Sequence, residues 1–240
     1  MIEWAKTGRE ILSRDNLDPQ ERVLIQARVQ DAESAGLVFE YKRNPTSPEA
    51  VTNFWQTFIR VSIENSGAEI DVPEVPPCDR TPEELEALKQ EGRMMVYNPG
   101  LSISYPVLGK VYPKMNSYSV KEDSPIKDKE AKSGWVDVEM DIDSPNTDTK
   151  EDDLEKLFKY QGRKGMRLST YIWTGQASKV LTGEYFDQGS TYSRLLSSSS
   201  GGYVVDAYFS PDGRLGVRWY LSPAVHHPLL GGRSEGVKRA

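Results

Sequence analysis

The sequence predicts an α+β protein. The expected N-terminal half is helix-rich with a small α/β layer, and the C-terminal part is a mainly antiparallel sheet with one or two helices. Three observations predict this. Three N-terminal segments open on a short polar residue followed by proline: Asp18-Pro19, Ser47-Pro48 and Thr81-Pro82. Residues 135–143 alternate apolar and acidic side chains without a break. Residues 203–209 and 214–221 flank Ser210-Pro211-Asp212-Gly213, a turn sequence with proline second and glycine last.

The proline pairs mark helix starts. The polar side chain caps unsatisfied backbone N–H groups, and proline at the first helical position forfeits no hydrogen bond. Glu21 and Glu84, three residues after Asp18 and Thr81, complete capping boxes, and Gly36 and Gly92 are the expected stops. In the middle helix Val51, Phe54, Trp55, Phe58, Ile59, Ser62 and Ile63 recur at i, i+3, i+4 and i+7, a stripe expected in the core. Extended runs at 37–41, 68–72 and 94–97 alternate with these helices and predict the α/β layer, with parallel strands. A proline-punctuated arm follows over 98–113. Residues 116–133 are polar and aperiodic, a linker between a 1–115 region and a 134–225 sheet region. The 98–133 arm is the part expected to exchange between subunits in an oligomer.

On a strand, successive side chains face opposite ways. Val136, Val138, Met140 and Ile142 then line a core, and Asp137, Glu139, Asp141 and Asp143 line the other face. A helix is predicted over 150–160, with Leu154, Leu157 and Phe158 inward and Gly162 as its stop. Residues 166–174 alternate like a strand, 179–186 form a further one, and the hairpin follows. The serine run 197–200 with Gly201-Gly202 reads as a flexible loop, and 226–240 as a mobile basic tail.

Composition narrows the function. The chain has 240 residues, 37% of them hydrophobic, and a mean hydropathy of −0.60, enough for a core beneath a wet surface. A net charge of −6 opposes non-specific coating of nucleic acid. Cys78 is the one cysteine, which excludes an intrachain disulfide and a thiolate zinc site; its neighbour Asp79 disfavours a reactive thiolate. The start, Met1-Ile2-Glu3-Trp4-Ala5-Lys6, lacks the pattern of a signal peptide, and no apolar run approaches the roughly 20 residues of a membrane span. A cytoplasmic location without a membrane partner is expected.

No phosphate-binding Walker loop and no Gly-x-Ser-x-Gly elbow occurs, and no cofactor is expected. Counted from Asp141, the calcium-loop template fails at Asn146 and Asp152. The most suggestive cluster is Gly162-Arg163-Lys164-Gly165, trailed by Arg167. A Gly-x-x-Gly loop lets backbone approach phosphates while cations neutralise them. With a strand and a helix before it, the stretch 134–175 resembles a KH domain, and that resemblance implies a clamp on single-stranded nucleic acid at this loop. If 166–174 is a strand, Arg167, Ser169, Tyr171 and Trp173 share a face, as do Arg214, Arg218 and Tyr220 on the hairpin. Such faces stack bases and neutralise phosphates. The expected binding residues are therefore Gly162, Arg163, Lys164, Gly165, Arg167, Tyr171, Trp173 and Arg218. The competing expectation pairs the same arginines with Asp137, Glu139 and Asp141.

The resulting reading is a non-catalytic binding protein whose partner is single-stranded nucleic acid or another protein. The alternative is a hydrolase. It would be metal-assisted through the acidic strand 137–143, or built on His226 or His227 with Asp206 or Asp212 as orienting group.

Overall fold

The computed structural model describes residues 2–13, 18–100, 103–115, 120, 126–127, 132–199 and 203–236. The chain opens with helices α1 (Ile2–Leu12), α2 (Pro19–Arg43), α3 (Pro48–Ser66) and α4 (Pro82–Gln90). Strand β1 (Arg93–Asn98), helix α5 (Tyr105–Val111) and the short β2 (Ile126–Lys127) follow. Next come β3 (Gly134–Glu139), α6 (Glu151–Tyr160), β4 (Lys164–Gly165) and α7 (Leu168–Thr182). The chain closes with β5 (Tyr192–Ser199), β6 (Val204–Phe209), β7 (Leu215–Leu221), β8 (Leu230–Gly232) and β9 (Ser234–Gly236).

The α+β class holds. One antiparallel sheet has the order β1-β3-β9-β4. The other runs β2-β5-β6-β7, with β8 added parallel to β5. The caps predicted at Ser47 and Thr81 are in place. Ser47 accepts from the Ala50 N–H at 3.2 Å, and Gly67 ends α3 at φ 64. Thr81 and Glu84 form a reciprocal capping box, with bonds of 3.2 and 2.8 Å. The stripe of α3 is buried, and Trp55 donates its indole N–H to the Met95 carbonyl at 2.8 Å, tying the helix to β1. The core draws on residues either side of 116–133, from Val51 and Phe54 to Val205 and Phe209. Of that linker, only 120, 126–127 and 132–133 lie within the described residues.

Several expectations give way. Residues 37–41 continue α2 through Gly36, because Leu37, Val38 and Tyr41 pack on the core as a helix face. Residues 68–72 are irregular, so β1 meets β3 antiparallel and no parallel α/β layer forms there. The 98–113 arm contains α5. Residues 166–174 and 179–186 are not strands; most of them belong to α7, a helix buried over nearly its whole circumference. A helix covered on all sides has no polar face, and its sequence then carries no 3.6-residue signal.

The supposed tail also departs from expectation: Leu230–Gly232 and Ser234–Gly236 are buried strands, while 237–240 lie outside the described residues. Their burial rests on charge. Arg233, fully buried, donates to the carbonyls of Asp141 (2.8 Å) and Ile142 (2.9 Å) and to Asp187 Oδ1 (3.1 Å). It also stacks 4.0 Å over the Phe186 ring. Glu235, equally buried, faces Lys164 and Arg167. No helix among the described residues is long and apolar enough to cross a membrane.

Candidate functional site

The basic loop is built on the end of α6. Gly162, at φ 69, turns the chain, and the N–H groups of Gly162 and Arg163 close the helix on the carbonyls of Lys159 (3.0 Å) and Phe158 (2.7 Å). The chain then enters β4, which pairs with β9; a Cβ at Gly165 would press on Leu196 at 3.3 Å. The loop cations therefore point into the sheet. Arg163 donates to Ser234 Oγ at 2.6 Å and to the Asp137 carbonyl at 3.0 Å, and forms an ion pair with the Asp137 carboxylate. Arg80 and Arg93 approach the same carboxylate at 3.8 and 3.9 Å. Glu139 lies 3.6 Å from Arg163 and accepts from the Ser234 N–H at 3.0 Å. Lys164 sits 3.5 Å from Glu235, and Arg167 donates to the same carboxylate at 2.6 Å.

The other expected binding residues are brought elsewhere. Tyr171 and Trp173 are buried in α7 and do not share an open sheet face. The Tyr171 hydroxyl donates to Asp187 at 2.7 Å; burial first, and then the Asp187 charge, pushes that phenol's pKa upward. Trp173 packs edge-on against Phe58 and Tyr112, with centroids at 6.1 and 5.7 Å. Arg218 donates to Asp206 at 2.8 and 2.5 Å and lies 4.2 Å over the Tyr192 ring. Burial raises the Asp206 pKa, against the lowering effect of Arg218.

The hydrolase constellations are not assembled as expected. Asp137 and Glu139 face arginine, and Asp143 accepts from Ser190 at 2.6 Å. Among the described residues no group of three potential metal ligands exists. His226 meets Asp148 at 2.8 Å on the surface, with neither Asp206 nor Asp212 beside it. Asp206 is committed to Arg218, and Asp212 to the hairpin turn with Ser210 and Arg214. His227 accepts from the Leu229 N–H at 3.2 Å. Burial raises the Cys78 thiol pKa, which suppresses its thiolate.

What remains open is the edge of the second sheet. β7 is last in the strand order and, among the described residues, pairs with β6 alone. The Ser210 N–H donates to the Arg214 carbonyl at 2.9 Å, and this sets the alternation along the hairpin. Gly216 and Arg218 direct their N–H and C=O groups to β6, whereas Leu215 and Val217 direct theirs outward. A register shift between Val204 and Asp206 ends the regular ladder beyond Arg218. Around that end the chain exposes Tyr203 (51%), Tyr220 (64%) and Val225. Gly216 keeps the strand flat against its neighbour, since a Cβ there would overlap the Tyr208 ring.

Of these residues only Tyr220 stood out in the sequence, and for a different role. The available signal was the absence of lysine, proline and acid from Leu215–Leu221, residues that usually blunt an edge strand. Comparison of the chain with protein-family models, with curated proteins and with solved structures returns no match.

Proposed function

We propose that the protein is a non-catalytic binding protein whose β7 edge takes up an extended segment of a partner protein as an added strand. The observation that carries this is the edge position of β7, with Tyr203, Tyr220 and Val225 exposed at its far end. In strand addition the main-chain hydrogen bonds supply affinity, and side chains flanking the edge supply selectivity. The outward N–H and C=O groups of Leu215 and Val217 offer the first, and the exposed aromatic and aliphatic groups offer the second. The one charge on the strand, Arg218, is neutralised by Asp206 and so does not repel an incoming chain. The same fact argues against a polyanion as partner: Arg163, Lys164, Arg167 and Arg218 each face a carboxylate within the fold.

A displayed library of random linear peptides, selected on the whole chain, tests the proposal. Enriched peptides are expected to bind Val217→Pro and Tyr220→Asp about tenfold more weakly or worse, the equivalent of one or two lost main-chain hydrogen bonds. Proline at 217 removes an outward N–H without removing a bond to β6. Selection that enriches nothing, or peptides that bind both variants like the parent, overturns the reading. So does single-stranded oligonucleotide binding whose salt dependence flattens in an Arg163→Ala, Lys164→Ala variant.

A further inference from the structure

Helix α7 is covered almost everywhere. From Leu168 to Leu181, only Gln176, Lys179 and Val180 escape burial. Their spacing, i, i+3 and i+4, makes them one stripe. That stripe forms one wall of a cavity of about 320 Å³ between α2, α3, α5 and α7. The floor is Phe58, Val61 and Val111, and Leu37 closes the side formed by α2. Tyr112 and Tyr185 complete an aromatic lining. The core helix of the molecule is thus bare at one place, and that place is concave, apolar at its base and polar at its mouth.

We propose that this cavity binds a small amphipathic molecule with a one- or two-ring aromatic body and an anionic head. Size favours a small molecule: the volume lies at the low end of sites that enclose drug-sized ligands. The aromatic body follows from the lining residues Phe58, Tyr112 and Tyr185, whose apolar ring carbons suit a flat guest. The anionic head follows from charge. Lys179 is the one ionic side chain in the lining among the described residues. It makes a 2.6 Å bond to the Gly183 carbonyl and stands 5.2 Å over the Tyr185 ring. An ammonium has three donors, so two of them serve a guest at the mouth. Gln176 and Asn65, beside it, contribute amide donors and acceptors that tolerate either orientation of a carboxylate. The floor is fixed before any guest arrives, because the Tyr112 hydroxyl is held by Ser62 at 3.0 Å and the Tyr112 and Phe58 rings rest on Trp173.

An isosteric series on the whole chain tests this: naphthalene-2-carboxylate, its uncharged amide, and naphthalen-2-ylmethylamine. Binding is read from chemical-shift changes of the Trp173 indole and of residues 176–180. The expected order is acid over amide over amine. Val180→Trp, which fills the mouth from an exposed position, is expected to abolish binding of acid and amide alike. Lys179→Gln is expected to weaken the acid by up to about fivefold while leaving the amide unchanged, the range of a single exposed ion pair. Absence of binding by all three at millimolar concentration overturns the proposal. So does binding that survives Val180→Trp, or an amine that binds as well as the acid. These readouts do not involve the β7 edge, so the two proposals stand or fall separately.

Discussion

Asp187 accepts hydrogen bonds from Tyr171, Thr191, Ser193 and Arg233, all of them buried. It holds a left-handed backbone conformation, φ 56, rare outside glycine. A buried carboxylate is tolerable only when its lone pairs are satisfied and its charge is matched, and here both conditions are met. Within this network, burial and the Asp187 charge suppress the ionisation of Tyr171. Its pKa is raised on folding, so its contribution to stability is complete below about pH 10 and is lost as the pH climbs toward its folded value. Stability of the parent is therefore expected to fall above about pH 10. In Tyr171→Phe that alkaline slope is expected to be shallower, after a loss at neutral pH of about 1 kcal/mol for the missing donor. Urea unfolding at a series of pH values measures both, and parallel slopes in the two proteins would contradict the assignment.

At the scale of elements, the C-terminal strands β8 and β9 are held by buried charge more than by apolar area. Removing the guanidinium in Arg233→Met leaves Asp187 and two carbonyls without their partner, and is expected to cost about 3–5 kcal/mol. Denaturant unfolding with an unchanged midpoint would show that the pair is incidental. This also explains which elements were legible in the sequence. Helix starts at Ser47 and Thr81 depend on three or four adjacent residues, and so do the hairpin turn at 210–213 and the helix α6; all are present as read. Elements whose state is decided by what covers them were not legible. The sequence Gly-Gly-Arg-Ser-Glu-Gly has almost no hydrophobic signal, yet it is buried, because its Arg and Glu meet Asp187, Lys164 and Arg167. Helix α7 alternates Leu, Tyr, Ile and Trp with small polar residues, which is also how a strand reads. Gly175 in its middle makes room for Phe209, a tertiary reason invisible along the chain.

At the scale of the molecule, the acidic and basic clusters of the sequence are turned toward each other. The acidic strand β3 and the basic loop after α6 were visible as sequence clusters, but whether they faced water or each other was not. Distance along the chain carries no such information when the partner of Asp137 lies on Arg163. With those groups facing each other, the surface offers another kind of contact: an open strand edge with aromatic and aliphatic side chains at one end. The claim that this edge is the working surface has a direct physical signature in amide hydrogen exchange at Leu215 and Val217. In the isolated chain both amides are expected to exchange rapidly, unlike Gly216 and Arg218, which are bonded to β6. On addition of a peptide selected against the whole chain, both are expected to slow together. Slow exchange of Leu215 and Val217 in the isolated chain, or no change when the peptide binds, would contradict the account.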